Sequence, residues 1–81
     1  MRKTVFQHYL SAHPEVCHGR LVFRGTRIPV ATILEFLAYG MSLEEILRGY
    51  PSLTRKAVQV AIDYARSRID GGEFIPLEKI R

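Results

Sequence analysis

SLEEILRGYPSLTRKAVQVAIDYARSR, running from Ser42 to Arg68, predicts two helices joined by a turn. Ser42 and Glu45 fit a capping box, in which the serine hydroxyl accepts a hydrogen bond from the amide of Glu45 and the glutamate carboxylate accepts one from the amide of Ser42. Gly49 ends the short first helix, and Thr54 is a favourable N-cap for the second. Two helices in this arrangement are typical of a helix-turn-helix.

The second helix of the motif combines an apolar face with a polar one. It runs to about Ile69, and helical spacing turns one set of side chains inward: Ala57, Val58, Ala61, Ile62, Ala65 and Ile69. In DNA-binding helix-turn-helix proteins, the first residues of the second helix meet base edges in the major groove. Arginine there reads guanine and glutamine reads adenine. We therefore predict a DNA-binding edge composed of Thr54, Arg55, Lys56 and Gln59. Asp63 on the same face would repel the DNA backbone, and a merely solvated face is the alternative.

Upstream of this motif the sequence predicts another helix and a small β-hairpin. Apolar residues recur at helical spacing from Val30 to Tyr39, and Gly40 suits the left-handed cap that ends such a helix. The segments 20–24 and 27–30 are extended in character and flank a turn signal at Gly25. Residues 5–10 fit either a strand or a helical turn. The sequence therefore predicts a mainly α fold of three helices with a small N-terminal β-hairpin.

The length of 81 residues predicts a single domain with a small core. We divide it into an N-terminal segment with the hairpin (1–29), a three-helix region (30–70) and a C-terminal tail (71–81). Phe36 and Tyr39 widen the apolar stripe of the first helix beyond what a small core needs. Together with the exposed hairpin, this width predicts a homodimer, with ordinary core packing as the alternative reading of the stripe.

The chain is basic, with a net charge of +4. The excess is uneven, because residues 1–40 hold five basic and two acidic side chains (5 − 2 = +3), whereas residues 41–81 hold seven basic and six acidic ones (7 − 6 = +1). A modest positive excess suits nucleic acid or an acidic protein surface, although many surfaces carry as much without any partner.

The sequence offers no constellation that indicates catalysis or a cofactor. His13, Cys17 and His18 lack the fourth ligand of a structural zinc site. Cys17 and His18 are adjacent, so in an extended chain they point to opposite faces and cannot pair as nucleophile and base. The lone cysteine fits a reducing cytoplasm, and no signal peptide or membrane-spanning run is present. We therefore expect a cytoplasmic protein that is not an enzyme and has no metal, cofactor or membrane association.

Three motifs occur in order along the chain. Residues 19–30 read GRLVFRGTRIPV, residues 40–47 read GMSLEEIL, and residues 50–54 read YPSLT. This order resembles the small prokaryotic family described as domain of unknown function 433. Its members show a stretch like GkPvirGTRIPV, a helix ending in G-x-S-x-E-E-I-L, and Y-P-x-L-T leading into an alanine-containing helix. The chain departs from that pattern at Cys17-His18-Gly19, where paired glycines are common, and at Leu21, where proline is frequent.

The resemblance implies a homeodomain-like helix-turn-helix fold, frequent dimers, and a neighbouring gene for a PIN-like ribonuclease toxin. By that analogy the chain is a non-enzymatic antitoxin of a type II toxin–antitoxin pair, which inhibits the toxin and represses its own operator. PIN-type nucleases hold metal with carboxylates, so basic side chains suit their site. The candidates for partner binding are Arg20, Arg24 and Arg27 on the hairpin and Lys79 and Arg81 on the tail. The tail could instead add a strand to a partner's sheet. The alternative functions are a stand-alone DNA-binding regulator and an interaction module of another complex.

Overall fold

The structure, a computed structural model, describes residues 2–71, with side chains from residue 5 onward. In chain order the elements are α1 (Arg2–Tyr9), β1 (Leu10–Ser11), a single 3-10 turn (Cys17–Gly19), β2 (Val22–Phe23), α2 (Val30–Ala38), α3 (Leu43–Gly49) and α4 (Arg55–Asp70). The predicted fold class, mainly helical with a small hairpin near the N-terminus, is confirmed. The structure adds α1, for which the sequence pattern left strand and helix open.

The capping box that predicts α3 is present in full. The Ser42 hydroxyl accepts from the Glu45 amide at 3.1 Å, and the Glu45 carboxylate accepts from the Ser42 amide at 2.8 Å. Thr54 caps α4 in the same way, because its hydroxyl accepts from the amide of Ala57 at 3.1 Å. These bonds satisfy amides that the first turn of a helix leaves without partners, so the start of each of the two helices is fixed.

The chain reverses at Gly25 as predicted, but its sheet pairing differs from the expected hairpin. β2 pairs antiparallel with β1, in the register Leu10 with Phe23. The segment after the turn makes only an isolated bridge between Val22 and Pro29. Proline has no amide to donate, which limits the ladder on that side of β2.

The core lies where the two strands, α2, α3 and α4 converge. Phe23, Ile33, Ile46, Val22 and Val58 are its largest fully buried side chains. α1 covers α4 from outside, and the ring of Phe6 meets the ring of Tyr64 edge to face with centroids 5.1 Å apart. Such an edge-to-face pair adds to the stabilisation that burial of the two rings provides.

Two predicted core residues of α4 are not buried. Ile62 is 46% exposed and Ile69 is 67% exposed, whereas Val60, which the sequence pattern left out of the core, is only 5% exposed. The inward prediction for these isoleucines is therefore wrong. α1, absent from the predicted fold, packs on α4, so a side of this helix that the predicted fold left open is covered.

α2 ends at Ala38, close to the predicted Tyr39, in a Schellman motif. The amide of Met41 donates to the carbonyl of Phe36 at 3.0 Å and the amide of Gly40 donates to the carbonyl of Leu37 at 3.1 Å. Gly40 has φ +99°, a conformation that favours glycine, and this explains why the helix stops there. Among residues 2–71, no helix is long and apolar enough to cross a membrane.

Candidate nucleic-acid interface

The four residues predicted to contact DNA come together at the start of α4, and we call them the leading edge: Thr54, Arg55, Lys56 and Gln59. All four are exposed. They differ in the hydrogen bonds that their side chains already make. The Thr54 hydroxyl is occupied as the cap of α4, so its first role is structural. Lys56 and Gln59 remain open to solvent, which leaves their amine and amide available to a ligand.

Arg55 is held by an ion pair that the sequence analysis missed. Its guanidinium lies 3.3 Å from the carboxylate of Glu44 in the first turn of α3. Helical spacing would pair Glu44 with Arg48, four residues along its own helix, and Glu44 instead binds across the turn. Its own backbone amide and then the Arg55 guanidinium lower the pKa of Glu44. Because both side chains are more than half exposed, a phosphate or a base edge can compete for Arg55.

Asp63, the residue expected to oppose DNA, is also paired. Its carboxylate accepts from Arg66 at 2.8 and 3.0 Å, and Arg66 also binds Asp70. The hydrogen bonds that Arg66 donates to Asp63 raise the pKa of the Arg66 guanidinium. The carboxylate therefore faces a cation of its own helix, one turn beyond the leading edge, and its repulsion of DNA is reduced.

A cleft joins the hairpin turn to the leading edge. It has a volume of about 250 Å³ and is lined by His8, Tyr9, Phe23, Arg24, Thr26, Ser52, Leu53, Thr54 and Ala57. A neighbouring open depression is lined by Val5, His8, Tyr9 and Lys56. Two residues predicted for different tasks, Arg24 and Thr54, thus border the same cleft. The structure places Lys56 next to it as well, because His8 and Tyr9 line both depressions.

Arg24 is tied to the end of α1. Its guanidinium Nε donates to the carbonyl of Gln7 at 2.7 Å, and its backbone amide donates to the carbonyl of Tyr9 at 2.8 Å. These bonds satisfy two carbonyls of the last helical turn, which lack partners within the helix. Arg24 therefore has a structural role that the sequence did not predict, beside any contact with a partner.

The other two arginines of the hairpin region are exposed. Arg20 borders an apolar depression, which we call the groove, of about 210 Å³ lined by Arg20, Leu21, Val30, Ala31, Leu34, Tyr64 and Ala65. The backbone carbonyl of Arg27 accepts from the thiol of Cys17 at 3.2 Å. The remaining candidates for partner binding, Lys79 and Arg81, lie outside the described residues.

The part of the chain that the structure describes assembles no group of three or more histidine, cysteine and acidic side chains that could hold a metal ion. Cys17 and His18 both have positive φ, 49° and 58°, in the tight turn before Gly19. Non-glycine residues rarely adopt this conformation, and here the Cys17 thiol stabilises it through its bond to the Arg27 carbonyl. The thiol thus donates to a backbone carbonyl, and this bond serves the turn.

Known proteins match the chain in sequence and in fold. The sequence pattern of the family described as "Protein of unknown function (DUF433)" matches residues 11–65. A crystal structure of a DUF433 member from Anabaena variabilis is similar with a TM-score of 0.73 and 30% sequence identity, over 85% of this chain and 68% of that one.

A curated relative is also similar. It is the uncharacterized protein y4eO of Sinorhizobium fredii, 34% identical over 58 residues. The matched region covers 72% of this chain but only 26% of the relative, so this chain corresponds to about a quarter of that longer protein.

Proposed function

The chain belongs to the DUF433 family, and from the geometry of its helix-turn-helix we propose that it is a non-enzymatic, DNA-binding antitoxin of a type II toxin–antitoxin pair. It acts in the cytoplasm as a homodimer, binds the operator of its own genes, and inhibits a PIN-like ribonuclease. The observation that carries the proposal is the leading edge of α4. Lys56 and Gln59 stand in solvent on a helix whose start is fixed by the Thr54 cap.

The leading edge suits the major groove for geometric reasons. A capped helix start offers a rigid platform, and its first exposed side chains reach base edges when the helix enters the groove. Gln59 can pair with adenine at two points, whereas Lys56 suits guanine or a phosphate. The cleft beside it adds the exposed hydroxyl of Ser52, which is suited to the DNA backbone.

The toxin needs a second surface if one protomer is to bind DNA and protein at once. Arg20 and Arg27 supply exposed positive charge outside the leading edge. The family's association with PIN-like ribonucleases supplies the class of partner, and the carboxylates that hold metal in such enzymes suit arginine. Lys79 and Arg81, which lie outside the described residues, are further candidates for binding the toxin.

The test combines the two binding activities in one set of variants. Fluorescence anisotropy against the protein's own promoter, at several salt concentrations, should show affinity for this duplex well above that for random duplex and a steep fall with salt. The product of the neighbouring ribonuclease gene should lose activity on adding the chain. Lys56→Ala with Gln59→Ala should abolish the first activity and spare the second, and Arg20→Glu with Arg27→Glu should do the reverse.

The stand-alone regulator is the second candidate, because the leading edge argues for DNA without requiring a toxin. Specific operator binding with no effect on the ribonuclease would favour it. Equal affinity for random duplex, together with a salt-independent signal, would reject DNA binding and leave an interaction module.

A further inference from the structure

We propose that Arg24 binds a phosphate of the DNA backbone in the cleft between the turn at Gly25 and the start of α4. This rests on the proposed function, because DNA is the ligand, and it adds the hairpin to the DNA-binding surface. The sequence predicts Arg24 as a contact of the toxin, together with Arg20 and Arg27. The structure separates it from them, because Arg24 lines the same cleft as Thr54 of the leading edge.

The lining of the cleft suits a small anion. Its exposed lining residues are all polar: His8, Arg24, Ser52 and Thr54. Among the described residues that line the cleft and the neighbouring depression, none is acidic, whereas Arg24 and Lys56 are cations. The volume of about 250 Å³ is below the roughly 300–1,000 Å³ of ordinary small-molecule pockets. A single phosphate group of a longer molecule therefore suits the cleft better than a free metabolite does.

Arg24 is oriented before any ligand arrives. Its guanidinium Nε donates to the carbonyl of Gln7 at 2.7 Å, and its backbone amide donates to the carbonyl of Tyr9 at 2.8 Å. The side-chain bond uses Nε and leaves the Nη groups, which are also donors, for the oxygens of a phosphate. A guanidinium that is already held loses less conformational freedom on binding, so it binds the phosphate more strongly than a freely rotating one.

The turn that carries Arg24 is closed by its own hydrogen bonds. The Thr26 hydroxyl donates to the carbonyl of Phe23 at 2.7 Å and accepts from the amide of Ile28 at 3.0 Å. The Thr26 amide donates to the same Phe23 carbonyl at 2.9 Å. The Thr26 hydroxyl thus serves the turn, and Arg24 lies on a segment whose shape is fixed within the free protein.

The side of the cleft next to α4 offers hydroxyl donors. Leu53 is buried and its amide donates to the carbonyl of Tyr50 at 2.9 Å, which fixes the turn that holds the exposed Ser52. The Thr54 oxygen accepts from the amide of Ala57, so its own proton remains to be donated. A phosphate in the cleft can therefore accept from the guanidinium and from a hydroxyl at once, as DNA-backbone contacts commonly do.

Two substitutions of Arg24 separate its charge from its structural role. Arg24→Gln and Arg24→Lys both remove the Nε–H that binds the Gln7 carbonyl, but only lysine keeps the positive charge. Anisotropy titrations use the protein's own promoter and random duplex at several salt concentrations. Arg24→Gln should weaken binding to both duplexes several-fold and reduce the slope of log K against log salt concentration by about 0.9. Arg24→Lys should keep the wild-type slope, whereas a purely structural role predicts the same change in both variants.

Ser52→Asp tests the cleft without touching Arg24, in case the Arg24 variants do not fold. Aspartate is common in turns, and its carboxylate would repel a phosphate in the cleft. Ala12→Asp is the matched control, because it places the same charge on an exposed loop residue outside the cleft. We expect Ser52→Asp to bind both duplexes several-fold more weakly than Ala12→Asp does.

Equal slopes for Arg24→Gln, Arg24→Lys and the wild type would overturn the phosphate contact, and so would equal affinities of Ser52→Asp and Ala12→Asp. Specific operator binding by the wild type would leave the proposed function standing in both cases. An Arg24→Gln chain that binds DNA like the wild type but fails to inhibit the ribonuclease would place Arg24 against the toxin, which also overturns the contact. A wild-type chain that binds neither duplex would reject the proposed DNA binding, and the phosphate contact with it.

Discussion

The guanidinium of Arg55 lies 3.3 Å from the carboxylate of Glu44, so an ion pair joins the first turn of α4 to the first turn of α3. The bond links the starts of the two helices of the helix-turn-helix on their exposed side. The ion pair also occupies Arg55, and arginine is the side chain best suited to recognise guanine. Binding of Arg55 to DNA therefore requires that Glu44 release it.

Removing the carboxylate should free Arg55 for DNA. We expect Glu44→Gln to tighten binding to the cognate duplex by a few-fold and to steepen its salt dependence. Glu35→Gln, on the exposed side of α2, removes the same charge outside the two helices of the motif and is the control. Anisotropy titrations measure both. Equal gains for the two variants would mean that only net charge matters, and that Arg55 makes no specific contact.

Lys56 and Gln59 should fail in different ways if the leading edge reads DNA. Lys56→Ala should weaken binding to all sequences alike and reduce the slope of log K against log salt concentration by about 0.9, which is the release of one counterion. Gln59→Ala should leave that slope unchanged and relax the preference at one base pair by about 1–3 kcal/mol. A panel of single-base operator variants separates the two effects. Loss of the same base preference in both variants would contradict this assignment of roles.

Acid should weaken the start of α3 through its capping box. The Ser42 amide and then its hydroxyl lower the pKa of Glu45 below the ordinary 4.5. Because the folded-state pKa is depressed, the stabilisation is complete above the unfolded pKa of about 4.5 and is lost as the pH falls through the lower folded-state value. Glutamine accepts the same hydrogen bond without titrating. Glu45→Gln should therefore show a flatter acid limb in urea midpoints, and Glu35→Gln should not.

Tyr39 is the side chain through which we expect self-association. It is 84% exposed, whereas Phe36, the other residue that widens the stripe of α2, stacks on Tyr50 with centroids 6.2 Å apart. Phe36 therefore makes a contact within the protomer, whereas the ring of Tyr39 is left exposed. We expect wild-type chain to sediment as a dimer at tens of micromolar and Tyr39→Arg to sediment as a monomer with unchanged helicity. A monomeric wild-type chain would remove the dimer from the proposal.

Much of this fold follows from local signals in the sequence. The Ser42–Glu45 box, the Thr54 cap and the glycine after α2 each satisfy backbone groups within a few residues, so their sequence patterns suffice to place the helix ends. Fold class and family follow from the same segments.

The sequence could not predict contacts between distant segments. Arg24 binds the carbonyl of Gln7, which is 17 residues away, and Glu44 binds Arg55, which is 11 away. Neither pair has a periodic signature, because the first depends on how α1 packs beside the turn after β2 and the second on how α3 packs beside α4. For the same reason the predicted burial of Ile62 and Ile69 is wrong: the helix pattern fixes which residues share a face, and tertiary packing decides how much of that face is covered.

Arg24 illustrates why a loss of function at a candidate residue needs a stability measurement beside it. Its guanidinium caps α1 through the Gln7 carbonyl, so Arg24→Ala and Arg24→Lys should each lower the free energy of unfolding by about 1 kcal/mol. The lysine variant keeps the positive charge but loses the Nε–H that makes the bond. Arg27→Ala, which removes an equal charge from an exposed side chain, should leave the urea midpoint unchanged.

If Arg24→Lys is destabilised yet still inhibits the ribonuclease under conditions where it is folded, the residue is a positioning residue for the hairpin and only its charge can serve the partner. If both variants keep full stability, the bond to the Gln7 carbonyl contributes little to the free energy of unfolding. A loss of inhibition in these variants would then show that Arg24 contacts the ribonuclease directly.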